Sequence, residues 1–284
     1  MYKKNIIKLL VGKFSIIRLI RSTLIIYVLI GLWAFFFSDR LIFLPRPSSY
    51  QENGQFVKLQ SDNTVQITGV YLPNPQAKYT ILYSHGNAED LGEILPRLRD
   101  LRNIGFSIFS YDYQGYGTSQ GRPSVKGAYQ DINAAYKYLT QQLGIPANQI
   151  IVYGRSVGGG PSVDLASRKP VAGLVIESSF TTTFRVLTRI PIYPFDKFPS
   201  IDKIKNVNCP VLVMHGNADR VIPFSHGQQL FATANQPKLS FWVEGAGHID
   251  LLEVAGEEYV KVMGEFVRFV GAIRPYEQTN PAKK

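Results

Sequence analysis

The chain has 284 residues, 45% of them apolar and 12% aromatic, enough to bury one large α/β core or two small ones. A single cysteine, Cys209, excludes an internal disulfide and any cysteine-based metal cluster; beside Pro210, at the head of an apolar run, it reads as a buried structural thiol. The net charge is +10, but Lys3, Lys4, Lys8, Lys13, Arg18 and Arg21 precede the first acid, leaving about +4 on the rest of the chain, too weak and dispersed for a nucleic-acid surface.

The basic lead (1–21) runs into the uncharged stretch STLIIYVLIGLWAFFFS, residues 22–38. Seventeen helical residues span about 25 Å, near the lower limit for crossing a bilayer, and Arg18 and Arg21 can extend the span by snorkelling. A cleaved signal peptide needs small residues where Phe35, Phe36 and Phe37 stand. A buried core helix is disfavoured by the basic lead. A retained single-pass membrane anchor is the expectation, with the basic N-terminus cytoplasmic and the following domain on the non-cytoplasmic side. Trp33 and the three phenylalanines then lie near the far interface, and LIFLPRPSSY is a proline-stiffened linker within 39–53 that hugs the membrane.

Residues 54–272 alternate strands and helices. GQFVKLQ and TVQITGVYLP read as an antiparallel pair joined by Ser61, Asp62 and Asn63. YTILYSHG is a strand buried on both faces, followed by a helix from Ile94 to Ile104 and the strand FSIFSYDY. Val125 to Leu143 has helical spacing and is stopped by Gly144 and Pro146. QIIVYG is a strand, Ser156 to Arg168 a helix, and VAGLVIES, CPVLVMHG and LSFWVEG are further strands before a closing helix from Leu251 to Ala272. This alternation implies a mostly parallel sheet with helices on both faces. The proline- and aromatic-rich segment 179–208 breaks the rhythm and is either a short cap over the strand ends or an irregular connection; residues 273–284 read as a flexible tail.

VYGRSVGGG poses the functional question, because Gly154 and Gly158 box Ser156 in a G-x-S-x-G pattern between a strand and a helix. Dinucleotide or phosphate binding could use such a turn, with Glu177 as the ribose-binding acid, but a G-x-G-x-x-G motif needs glycine at 156 and the G-K-[ST] ending is absent. A nucleophile elbow explains the glycines better: the flanking positions must be nearly free of side chain, and the hydroxyl is pushed into the cleft at the strand ends. An elbow requires an orienting acid and then a histidine base later in the chain. His248 in EGAGHID is the candidate base and Asp219 in HGNADRVIP the orienting acid, with Glu177 as rival. SHGNAED after the third strand offers the backbone amides of Asn87 or Ala88, which with that of Val157 make an oxyanion hole. His85, His215 and His226 read as structural; Asp112 and Tyr113 brace the following loop, and Arg155 pairs with Glu177.

SHGNAED, YDYQGYGTSQG, YGRSVGG, VLVMHGNADRVIP and GAGH, in this order, resemble the conserved blocks of the α/β-hydrolase superfamily from Leu41 to Val270. FLPRP, and SHG at 225–227, are similar to its branch of membrane-attached or single-pass hydrolases, which includes protein depalmitoylases. The resemblance implies an α/β-hydrolase fold and a cofactor-free, metal-free serine hydrolase acting on small-molecule, lipid or acyl esters or thioesters. The family's nucleophile, acid and base map onto Ser156, Asp219 and His248, and its oxyanion donors onto the Asn87 region and Val157. The depalmitoylases of this branch attach through an N-terminal cysteine-rich segment, whereas this chain has the apolar stretch instead. A serine peptidase of the same fold and a membrane-tethered binding protein with an inactive site are the alternative readings.

Overall fold

The computed structural model describes residues 15–279 apart from Asn53 and Asn63, with side chains up to residue 272. It divides into two units, Met1–Leu41 and Ile42–Lys284. In the first, α1 (Ile16–Phe37) has 22 residues and so a length of about 33 Å. It starts earlier than the expected 22–38 because nothing in IIRLIR interrupts a helix, and arginine and leucine favour one. Among the described residues it is the helix long and apolar enough to cross a membrane. Lys3, Lys4, Lys8 and Lys13 lie outside the described residues.

The second unit contains the strands β1 (Phe56–Gln60), β2 (Gln66–Leu72), β3 (Thr80–Ser84), β4 (Ser107–Tyr111), β5 (Ile150–Arg155), β6 (Gly173–Glu177), β7 (Val211–Gly216) and β8 (Lys238–Val243). They form one sheet in the order β1-β2-β4-β3-β5-β6-β7-β8. β1, β2 and β4 pair antiparallel, and every pairing from β4 onward is parallel. The β1–β2 hairpin and the parallel remainder were both expected from the strand patterns and the helical spacers.

Alternate residues of the central strands feed two cores, as the period of two requires. Leu82, Phe109, Val152, Leu174 and Val213 join one core; Ile81, Ile108, Tyr153, Val175 and Leu212 join the other. Helices cover both faces. α2 (Leu91–Ile104) and α9 (Glu257–Thr279) bury Leu98, Leu101, Met263 and Phe266 in the second core. α3 (Val125–Lys137), α4 (Gly159–Ala166) and α7 (Ser225–Thr233) bury Ile132, Val163 and Leu230 in the first. These strands are near-continuous apolar runs because both faces are covered.

Several boundaries differ from the expected ones for identifiable reasons. α2 starts at Leu91 rather than Ile94, because Asp90 caps it by accepting from Glu93 N at 3.1 Å. The expected helix over 125–143 is α-helical only to Lys137 and continues as one wider turn, Tyr138–Gln142. The helix expected from Ser156 begins with a tight turn, Ser156–Gly158, before α4. Gly256, at φ 51°, divides the closing helix into α8 (Leu251–Ala255) and α9. α9 runs to Thr279, so residues 273–279 of the expected flexible tail are helical; the rest of that tail lies outside the described residues. The segment 179–208 carries α5 (Thr183–Thr188) and α6 (Ser200–Lys203) among irregular backbone. Cys209 is half-buried rather than buried. Part of the stretch expected as a membrane-hugging linker belongs to the second unit, where Phe43 is 2% exposed in the core.

Candidate active site

The residues singled out by sequence lie beyond the carboxyl ends of β3, β5, β7 and β8, where open parallel sheets bind their ligands. Ser156 follows β5 with φ 53°, a region that non-glycine residues rarely occupy. The two glycines explain how the turn closes. A Cβ added at Gly154 would lie 2.5 Å from the Gly158 carbonyl oxygen, and one at Gly158 would lie 2.1 Å from that of Ser84. Both obstacles are backbone, so the β5 turn and the end of β3 approach this closely only with glycine. Ser179 Oγ donates to the Ser156 carbonyl at 2.7 Å and fixes the turn from the start of the 179–208 segment.

Ser156 Oγ donates to His248 Nε2 at 2.9 Å, and His248 Nδ1 donates to Asp219 Oδ2 at 2.8 Å. These three side chains come from loops after β5, β7 and β8. The last two loops are laced together: Asn217 N donates to Val243 O at 3.1 Å, Ala218 N to Ala246 O at 3.0 Å, and Gly245 N to Asn217 Oδ1 at 2.8 Å. That lacing brings Asp219 to His248. Asp219 Oδ1 also accepts from Val221 N and Ile222 N, each at 2.8 Å.

His215, expected to be structural, has its Nε2 3.2 Å from Asp219 Oδ2 and 3.0 Å from Ile222 O. Both neighbours are acceptors, so the proton sits on Nε2 and His215 braces the same Asp219 oxygen that His248 contacts. Burial pushes the Asp219 carboxyl up, but hydrogen bonds from His215, His248 and Ile222 outweigh it and hold the group well below the usual carboxylate range. Asp219 is therefore held as the ionised carboxylate.

Glu177, the rival acid, is committed elsewhere. Its oxygens accept from Arg97 Nη2 at 2.5 and 2.6 Å and from Tyr153 OH. Arg155 forms the expected ion pair with Glu177, its Nε 3.6 Å from Oε1, and its Nη1 also donates to Glu89 Oε1 at 2.6 Å. Asp112 ties down the following loop through its carbonyl, which accepts from Ser119 Oγ at 2.9 Å, and both residues also reach the loop after β3, where Asp112 Oδ1 accepts from Leu91 N at 2.9 Å and Tyr113 OH donates to His85 O at 2.8 Å. His226 Nδ1 lies 3.2 Å from Thr181 N and 3.0 Å from Thr181 Oγ1 and is structural.

On the loop after β3, Gly86 N donates to Glu89 Oε2 at 3.0 Å. The Ala88 N–H donates to Asn87 Oδ1 at 2.9 Å, which removes it from the expected oxyanion donors. The same bond helps hold Ala88 at φ 58°. The Asn87 N–H has no acceptor among the described residues and, with that of Val157, is left as the candidate pair. Sequence reasoning missed Glu89, Arg97, His215 as a second partner of the acid, and Tyr116, whose hydroxyl donates to Asn87 Oδ1 at 2.6 Å. The spacing Asp90-x-x-Glu93 was a readable helix-start signal; the others meet the site only through tertiary contact. Among the described residues no group of three or more His, Cys, Asp or Glu is arranged to hold a metal ion.

The architecture and site now define a class. An esterase from Pyrococcus furiosus superposes with a TM-score of 0.67 at 18% identity, covering 80% of this chain and 97% of its own. An alpha-beta serine hydrolase homologue from Coxiella burnetii gives 0.59 at 18%, covering 78% and 99%. The family model described as serine aminopeptidase, S33, matches residues 75–190. The fold is that of the α/β hydrolases. Over 197 residues the chain is 47% identical to alpha/beta hydrolase domain-containing protein 17B of Xenopus tropicalis, covering 68% of each. It is 46% identical to 17B of Homo sapiens over 68% of each, and 45% identical to 17C of Mus musculus over 68% of this chain and 61% of that one. The chain belongs to the alpha/beta hydrolase domain-containing protein 17 family of the α/β-hydrolase superfamily, and is a hydrolase.

Proposed function

We propose that this hydrolase cleaves carboxylic esters or thioesters by acyl transfer to Ser156. The observation that carries the reading is the relay from Ser156 Oγ through both ring nitrogens of His248 to Asp219, mounted on a serine at φ 53°. His248 Nε2 takes the hydroxyl proton as Oγ attacks the acyl carbon, and Asp219 holds the ring's other proton at Nδ1. The carbonyl electron pair moves onto oxygen, facing the N–H groups of Asn87 and Val157, each such donor contributing about 3–4 kcal/mol. Collapse breaks the bond to the alcohol or thiol, which leaves with the proton from Nε2. Water then attacks the acyl-enzyme by the same route, releasing the acid and restoring Ser156.

Two features support an apolar acyl chain or a lipid as substrate. The cap exposes Leu187, Ile190 and Ile192, with Leu187 89% accessible, and α1 is suited to a membrane anchor. The basic residues before that helix support a cytoplasmic N-terminus and a hydrolase domain on the other side. Protease digestion of the domain only after lysis of right-side-out cells would contradict that orientation. A peptidase is the second reading, favoured by the description of the matching family model. A panel of p-nitrophenyl esters, acyl thioesters and peptide amides separates the two. Turnover of esters or thioesters, lost by about 10⁴-fold or more in Ser156→Ala, is the expected result. Turnover of amides alone would replace the esterase reading with the peptidase one, and turnover of none would point to a binding protein.

A further inference from the structure

The residues between α1 and β1 are fastened to the loop that carries the candidate oxyanion donor. The Asn87 carboxamide is the main fastening. Its Nδ2 donates to Ile42 O at 2.7 Å, and its Oδ1 accepts from Leu44 N at 2.9 Å as well as from Tyr116 OH and Ala88 N. Tyr116 OH lies 3.0 Å from Leu44 N, which closes the cluster. Between the two clamped peptides, Phe43 is buried, with ring centroids 6.4 Å from Tyr113, 6.4 Å from Tyr116 and 6.0 Å from Phe198. Tyr113 in turn donates to the His85 carbonyl, one peptide before the loop glycine.

The far end of the segment grips the other end of the same loop. Ser49 N donates to Asp90 Oδ2 at 2.6 Å, and Ser49 Oγ donates to Asp90 Oδ1. Tyr50 OH donates to Asp112 Oδ2 at 2.5 Å, whose other oxygen accepts from Leu91 N. Pro45 and Pro47 stiffen the connection between these grips by fixing their own φ.

We propose that Ile42–Tyr50 is a strap that positions the oxyanion loop, with Phe43 and the Asn87 side chain as positioning residues for the acyl-transfer step. This rests on the serine-hydrolase reading above. The Asn87 side chain holds the strap while its own backbone N–H is the candidate oxyanion donor, so displacement of the strap displaces that donor. Positioning tolerances in such sites are of the order of an ångström. Loosening the strap weakens transition-state stabilisation and leaves ground-state binding of a small ester unchanged.

The test uses the full-length chain with three substitutions: Phe43→Ala, Phe43→Leu as the conservative partner, and Tyr116→Phe, which removes one hydroxyl and guards against a Phe43→Ala protein that does not fold. Hydrogen exchange at residues 84–91 reads the loop without reference to catalysis, and p-nitrophenyl acetate kinetics read its consequence. Exchange in this loop should rise in Phe43→Ala and Tyr116→Phe. In the same variants kcat should fall by about 10²-fold with KM within about twofold of wild type, and Phe43→Leu should recover most of the loss. Unchanged loop exchange in the folded variants overturns the strap. Raised exchange with unchanged kcat overturns its positioning role. Hydrolysis that survives Ser156→Ala overturns the underlying reading of Ser156 as the nucleophile instead, and the exchange measurement identifies that case separately.

Discussion

Gly158 and Ser84 come from different strand ends, yet a Cβ on Gly158 would sit 2.1 Å from the Ser84 carbonyl oxygen. β3 and β5 are hydrogen-bonded neighbours in register, Ser84 opposite Gly154, so neither backbone can yield without breaking the pair. Gly158→Ala should therefore cost at least about 1–3 kcal/mol, as overpacking of a rigid site does. Chemical denaturation measures the cost. A variant as stable as wild type would mean that the elbow has room to yield.

Asp219 should matter through proton placement. In Asp219→Asn the amide oxygen would keep accepting from Val221 N and Ile222 N, so its NH₂ would face His248 Nδ1 and His215 Nε2. A donor there drives the His248 proton to Nε2, where it can no longer receive one from Ser156. The expected loss in kcat is about 10⁴-fold. Circular dichroism should show an intact fold. A variant retaining a tenth of wild-type kcat would remove Asp219 from the relay.

Glu177 tests the opposite assignment. Fully buried and bonded to Arg97 and Tyr153, it holds the sheet's neighbouring helix rather than the base. Removing it leaves a buried guanidinium without its partner, which costs about 3–5 kcal/mol. Glu177→Ala should lower the thermal midpoint while the surviving folded fraction keeps its turnover number. A large fall in kcat at unchanged stability would restore Glu177 as a candidate acid.

Asp131 gives a pH dependence with a definite sign. Burial pushes its carboxyl up to about 6, against the opposing hydrogen bonds from Ser61 and Gln114. The folded chain therefore holds a proton that the unfolded chain releases near pH 3.9. This contribution is fully present below about pH 4 and is lost as pH rises through about 6, a change on the order of 2–3 kcal/mol. Urea midpoints of wild type and Asp131→Asn, compared between pH 4 and 7, should diverge by that amount, with wild type losing stability relative to the variant. Parallel curves would show that Asp131 titrates normally in the folded chain.

Much of this was legible in sequence because the physics was local. The strand runs, the elbow glycines, and the order of Ser156, Asp219 and His248 each follow from patterns within a few residues or from chain order. What escaped depends on tertiary contact. Arg97 reaches Glu177 across 80 residues, His215 meets the acid by the fold of its own loop, and Phe43 is a core residue in a stretch that reads as linker. The Ala88 N–H was lost to a side chain one position away, a competition that the residue types permit but do not announce. Gly256 shows the reverse: a helix break was readable at a glycine, but periodicity on both sides obscured it.

The proposed chemistry depends on Ser156 acting as a nucleophile activated by His248. Mass spectrometry of the purified chain after treatment with a fluorophosphonate tests it most directly. One adduct is expected, on the peptide containing Ser156, absent in Ser156→Ala and formed at least about 10³-fold more slowly in His248→Ala. An unlabelled Ser156 in a preparation that still hydrolyses esters, or equal labelling with and without His248, would contradict it.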